Sequence, residues 1–250
     1  MYIILWKFNF AGVYRSSIKD IYIDINYIPD LHNIEKTDCT LVLGGGITFT
    51  IALQTFQKYS YDIGFKYLSQ LAQYVEMIAN IPVRNIGTIA GNLMLKYQHK
   101  DFSSDLFLML ETIGAQVHVL ESPSQKKSLY LWEFLNLDMH HKIIYSIVLP
   151  ALDDFKYVCR FYKVMPIAQN AKAHVNAGFL FKLDSDGKVM KSLRVSYIIL
   201  LLITHLFLIS SSFICWYLQY FLKRYWSCLT LSSVASIRIF FMQKKRRKFW

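Results

Sequence analysis

Along residues 12–194 the apolar positions recur with two periods, one typical of strands and one typical of helices. In DIYIDINYI, residues 20–28, Ile21, Ile23 and Ile25 share one side, which predicts a strand. CTLVLG, residues 39–44, reads as a short strand running into Gly44, Gly45 and Gly46. Thr48 is placed to cap a helix over FTIALQTFQKY, because its hydroxyl can accept from the first free amides. Residues 65–79 carry Phe65, Leu68, Leu71, Ala72, Val75, Ile78 and Ala79 at helical spacing. RNIGTIAGNL, residues 84–93, reads as a glycine loop, and DFSSDLFLMLE, residues 101–111, as a helix start with serine caps available. AQVHVLE is a strand, YLWEFL a helical turn and IIYSIVLP a strand stopped by Pro150. Residues 173–197 read as a hairpin about Asp186-Gly187. Helices and strands alternate with no repeated unit, the pattern of a mixed helix-and-sheet domain.

Composition narrows the chemistry. The chain has 250 residues, of which 54% are hydrophobic, with only 10 Gly and 5 Pro, so it can bury a core and does not read as disordered. The four cysteines form no CxxC pair, which makes a poor disulfide framework and supplies no zinc or iron–sulfur spacing. His140 and His141 are adjacent, and on a helix or strand they would point apart, which argues against a metal site. The net charge of +11 is unevenly placed, since all 17 acidic residues precede residue 187 while KKRRK occupies residues 244–248. The basic balance therefore belongs to the tail and does not indicate nucleic-acid binding.

From Val195 the pattern changes. Residues 195–222 contain no Lys, Arg, Asp or Glu, and Lys223 and Arg224 follow directly. That length and flank predict a membrane-spanning helix over 197–222. A second reading, sequence joined to the domain without belonging to it, stays open. The apolar N-terminus is too short for a secretory signal.

The run at 84–93 has two readings. Gly87 and Gly91 can take positive φ, and the successive amides of such a loop converge into a concavity that suits a pyrophosphate. A plain turn fits the spacing as well. Gly44–Gly46 lacks the Gly-Lys-Ser/Thr of a P-loop and reads as a tight strand-to-helix turn.

VRNIGTIAGNLM, then DFSSDLFLML, SIVLP and FYKVMPIAQNAKAHVNAGFLF, resembles the flavin-binding domain of the xanthine dehydrogenase and aldehyde oxidase molybdo-flavoenzymes, in wording closest to insect-type aldehyde oxidases. GVYR and IDINYIPDLHNI fit the start of the same domain, so the resemblance runs over residues 12–194. It implies an α+β fold, a two-subdomain FAD-binding module of the PCMH type over residues 12–150, with residues 151–194 starting a CO dehydrogenase flavoprotein-like C-terminal domain. It places Thr88, Ala90, Gly91 and Asn92 on a phosphate loop, Asp105 at the flavin, Ile78 and Ile144 against its ring and Lys163 near the isoalloxazine. In the complete family, molybdopterin and two [2Fe–2S] clusters feed electrons to FAD, which passes them to oxygen or NAD⁺. Family members are cytoplasmic homodimers.

The chain departs from the family pattern at both ends. The first flavin loop, Leu-Val-x-Gly-Asn-Thr, should precede GVYR, where this chain has WKFNFA at residues 6–11. Residues 195–250 resemble no part of the family. The resemblance thus implies an FAD-holding fragment with weakened binding, unable to oxidise an aldehyde alone. The alternative from composition is a membrane-anchored, non-catalytic binding domain.

Overall fold

The computed structural model describes residues 2–4, 21–122, 124–165, 173, 175–184, 189–199 and 237–241, those of 2–4, 21–23, 189–199 and 237–241 by backbone alone. The order of elements is β1 (Tyr2–Ile4), β2 (Ile21–Ile23), β3 (Ile34–Lys36), β4 (Thr40–Gly44), α1 (Phe49–Tyr59), α2 (Leu68–Glu76), α3 (Ile81–Ile86), α4 (Ile89–Gln98) and α5 (Asp105–Ile113). Then come β5 (Gln116–Ser122), β6 (Gln125–Tyr130), α6 (Leu131–Phe134), β7 (Ile143–Pro150), β8 (Tyr157–Val164), β9 (Val175–Leu183), β10 (Val189–Ile199) and β11 (Ile237–Phe241).

The strands form two main sheets. One is antiparallel with the order β3-β4-β7-β5-β6, and the other runs β11-β10-β9-β8. β1 and β2 form a separate parallel pair. In β4, β5 and β7 buried and less buried positions alternate, as expected for strands with one face on a core. The core gathers Leu41, Leu43, Phe49, Phe56, Leu71, Val75, Phe107, Val117 and Ile147, all at most 1% exposed. Through it runs α5, which touches β7 of the first sheet and β9 and β10 of the second. This helix is buried on every side, from Leu106 to Ile113, which is why Leu106–Leu110 are all apolar and the helix shows no polar face.

Several expected elements are present with adjusted limits. Thr48 does cap α1, accepting from the Ile51 amide. The strand expected over 20–28 is confined to Ile21–Ile23, since the chain turns at Asn26 and Tyr27. The helix expected over 65–79 occupies Leu68–Glu76. The hairpin of β9 and β10 is antiparallel as expected.

Three expectations are corrected. Residues 84–93 do not form a loop: α3 ends at Ile86 and α4 begins at Ile89, so Gly87 is a helix-to-helix joint. The expected transmembrane helix begins in the wrong conformation, because Tyr197–Ile199 belong to β10, and the rest of 197–222 lies outside the described residues. Among the described residues no helix is long and apolar enough to cross a membrane. His140 and His141 do not diverge either. They sit in a turn, with His141 at φ +58°, and their ring centroids are 3.9 Å apart.

Candidate functional site

The sequence-predicted residues fall into two groups, and α4 and α5 position both. At the first, Thr88 is the N-cap of α4, and its hydroxyl accepts the Gly91 amide at 3.1 Å. The Ile89 amide donates to the Ile47 carbonyl (3.0 Å), that of Ala90 to Gly45 (3.2 Å) and that of Asn92 to Thr88 (3.1 Å). All four amides of residues 89–92 are thus held by acceptors within the protein. Ile89, Ala90 and Asn92 are at most 3% exposed. Gly87 has φ −66°, and the positive-φ glycines among the described residues are Gly64 and Gly114. The open amide concavity expected from Gly87 and Gly91 is therefore not formed.

The bareness of this stretch has a packing cause. The turn at Gly44–Gly46 lies against the start of α4, and Thr48 bridges Thr88. A Cβ at Gly45 would stand 2.5 Å from the Ile144 carbonyl oxygen and 3.2 Å from Ala90 Cβ. Small residues on both sides let two backbones touch. The triple glycine is a tight strand-to-helix turn, as its sequence suggested.

The second group surrounds the start of α5. Ser104 caps this helix by accepting the Phe107 amide at 2.9 Å, and its hydroxyl donates to Asn92 Oδ1, tying α5 to α4. Asp105 follows as the first helical residue, where a carboxylate is favoured by the helix dipole. Its Oδ2 takes the Lys163 ammonium at 2.7 Å and its Oδ1 takes Asn176 Nδ2 at 2.6 Å. Lys163 also donates to the Met77 carbonyl at 2.7 Å. A solvated strand lysine would be exposed, yet the Lys163 side chain is 1% exposed. Ile78 adjoins Met77 and is 8% exposed, while Ile144 is fully buried on β7. Thus Asp105 and Lys163, 58 residues apart in sequence, meet in space, and Ile78 lies beside the carbonyl that anchors Lys163.

Burial raises the Asp105 pKa above the ordinary carboxylate range, against the pull of Lys163 and Asn176 in the other direction. Burial, then the charge of Asp105, pushes the Tyr74 phenol far up as well, keeping it protonated. Two buried polar atoms find no hydrogen-bond partner among the described residues: the Tyr74 hydroxyl and Asn176 Oδ1. Native proteins rarely leave such atoms unmet, since each costs about 1–3 kcal/mol.

Tyr74, Asn176 and Lys96 carry no motif or spacing in the sequence that marks them. Lys96 is 3% exposed and bonds the carbonyls of Lys100 and Phe102 at 2.8 Å each, fastening the turn between α4 and α5. Burial lowers its pKa to about 8. An open cleft lined by Lys66, Tyr67, Gln70, Asp154 and Arg160 contains none of the predicted site residues.

A family model described as the FAD binding domain in molybdopterin dehydrogenase matches residues 14–152. The chain belongs to this family. Among curated relatives, abscisic-aldehyde oxidase of Arabidopsis thaliana is 29% identical over 196 residues, covering 74% of this chain and 14% of that protein. An indole-3-acetaldehyde oxidase of the same plant is 32% identical over 173 residues, covering 66% of this chain and 13% of the relative. The chain therefore spans a small part of the length of the relatives it matches. A carbon monoxide dehydrogenase chain from Hydrogenophaga pseudoflava superposes with a TM-score of 0.57 at 20% identity, covering 71% of this chain and 58% of the other. Quinoline 2-oxidoreductase from Pseudomonas putida gives 0.55 at 17% identity, covering 74% and 61%. These two likenesses establish the fold of the FAD-binding family.

The described residues fit FAD unequally along its length. Around Asp105 they fit: a held cation, a carboxylate, two unpartnered polar atoms and the apolar Ile78 beside Met77 suit a ring that is flat, apolar on its faces and polar at one edge. At residues 89–92 no amide is left for a phosphate.

Proposed function

We propose that this chain is an electron-exit module of an aldehyde oxidase or xanthine dehydrogenase type oxidoreductase, holding FAD chiefly by its ring end. Bound there, the flavin would take up electron pairs and release them to oxygen or NAD⁺. Ile78 and Ile144 wall the ring, Lys163 supplies the cation that steadies charge on the reduced form, and Asp105 offers an acceptor and keeps Lys163 in place. Thr88, Ala90, Gly91 and Asn92 act through packing and through the Asn92–Ser104 bond, which sets where α5 begins. The observation that supports this reading is the closure of Asp105 on Lys163 beside two unmet polar atoms.

Adding FAD to the purified chain tests it. Near-stoichiometric flavin absorbance supports the proposal, and colourless protein that takes up none rejects it. Because the amides of 89–92 are occupied, riboflavin should bind within roughly tenfold of FAD, a difference of about 1.4 kcal/mol. A preference for FAD of several orders of magnitude would show that the start of α4 opens to phosphate.

For the parent enzyme, the family likeness supports molybdopterin and [2Fe–2S] cofactors in other domains, homodimer assembly and a cytoplasmic location. Residues 151–194 fit the start of the flavoprotein C-terminal domain, supported by the separate sheet that β8, β9 and β10 build. The anchored alternative rests on the uncharged residues after Val195, and recovery of the chain in the soluble fraction after carbonate extraction excludes it.

A further inference from the structure

Lys163 and Asn176 stand opposite each other in the β8–β9 ladder, so their side chains leave the same face of the sheet. Both reach Asp105, and each takes a different carboxylate oxygen, Lys163 at 2.7 Å and Asn176 at 2.6 Å. Asp105 is thereby gripped from two strands, while the Met77 carbonyl holds the ammonium from a third side. Asn176 is 1% exposed and its Oδ1 has no partner among the described residues, so its contribution to this cluster is the single bond to Asp105. Phe161, two positions before Lys163 on β8, packs on the Tyr74 ring at 5.4 Å between centroids, which leaves the group little room to rearrange.

The ammonium and the carboxylate nearly cancel, so the charge that Lys163 presents to a neighbour depends on how firmly Asp105 is held against it. We infer that Asn176 is a positioning residue of the flavin site: by aligning Asp105 on Lys163 it sets the net positive charge beside the ring. This rests on the reading that the ring lies next to Lys163. Reduction of the ring by two electrons and one proton leaves one negative charge, so more uncompensated cation favours the reduced form. A unit charge a few ångströms away at an effective dielectric constant near 20 is enough to move that balance by roughly tenfold or more.

The test uses the full chain loaded with FAD, reduced stepwise with dithionite in the presence of a reference dye, with the reduced-to-oxidised ratio read by absorbance. Asp105→Asn should move the ratio toward reduced flavin by roughly tenfold at a fixed poise. Asn176→Leu should move it the same way by less, and Asn176→Ser provides the same reading should the leucine variant not fold. On the Asp105→Asn background the Asn176 substitutions should add nothing, because Asn176 acts through Asp105. A merely structural Asn176 would lower the melting temperature and leave the ratio unmoved, and that result overturns the inference. So does a shift of equal size with and without Asp105. If the wild-type chain takes up no FAD at all, the functional reading falls and the inference with it. Uptake with an unmoved ratio removes the inference alone.

Discussion

At the start of α4 four successive amides find acceptors inside the protein, whereas around Asp105 two buried polar atoms find none among the described residues. The two regions are neighbours, joined by the Ser104–Asn92 bond, yet they stand differently toward a ligand. The first is self-sufficient, and its small residues serve the close approach of two backbones. The second is well held but incomplete. A glycine-rich run marks where backbone comes close to something, and here that something is the turn at Gly44–Gly46. Unmet hydrogen-bonding capacity separates the two regions better than bareness does.

The strongest way to break this contrast is to split the buried pair. Lys163→Met should lower stability by about 3–5 kcal/mol, because it strands a buried carboxylate, and Asp105→Leu should do the same to the ammonium. The double variant should recover much of the loss in urea denaturation. Single variants that match wild type would mean the pair is open to solvent.

Next in size is Lys96, near the far end of α4. In the unfolded chain this lysine titrates at 10.5, and in the folded chain at about 8. Between those values the unfolded state binds more protons, so stability should rise with pH across that window, by up to about 3 kcal/mol. Below about pH 8 the full cost of burying the charge is borne. Lys96→Met should lose this part of the pH dependence, read as the difference between the two melting profiles.

Gly45→Ala should cost about 1–3 kcal/mol, since the added methyl group meets backbone oxygen. The smallest effect sharpens the contrast between the two helix starts. Thr88→Val removes a cap and should cost about 1 kcal/mol. Ser104→Ala removes a cap and also leaves Asn92 Oδ1 without its donor, so it should cost more in the same denaturation experiment. Equal losses would mean that the Asn92 bond contributes nothing.

Much of the fold could be read from periodicity. The cap at Thr48 was legible because α1 is one-sided, with Phe49, Ala52 and Phe56 inward and Gln54, Gln57 and Lys58 outward. The equivalent cap at Thr88 was not, since α4 opens with Ile89, Ala90, Gly91, Asn92 and Leu93 all buried, and a helix covered on every side shows no alternation. Gly87 and Gly91 then suggested a loop. Asp105 and Lys163 were reached through the family likeness, whereas their pairing is a matter of strand register. Asn176 lay hidden in an apolar strand and Tyr74 on the apolar side of α2: the first matters only because β9 places it across from Lys163, and the second because α2 turns its hydroxyl inward. No spacing rule encodes either.

Gly178 on β9 shows what the buried helix α5 demands of its neighbours. A Cβ there would fall 2.2 Å from Thr112 Oγ1, so the Thr112 side chain occupies the space that a side chain at this point of the sheet would need. One turn-pair earlier on the same helix, Asp105 is fastened to the same strand through Asn176. A rod pinned at two points about 10 Å apart does not swivel. Because its other flank lies on β7, one short helix ties the strand that carries Asn176 to the opposite sheet, and neither sheet packs on α5 alone.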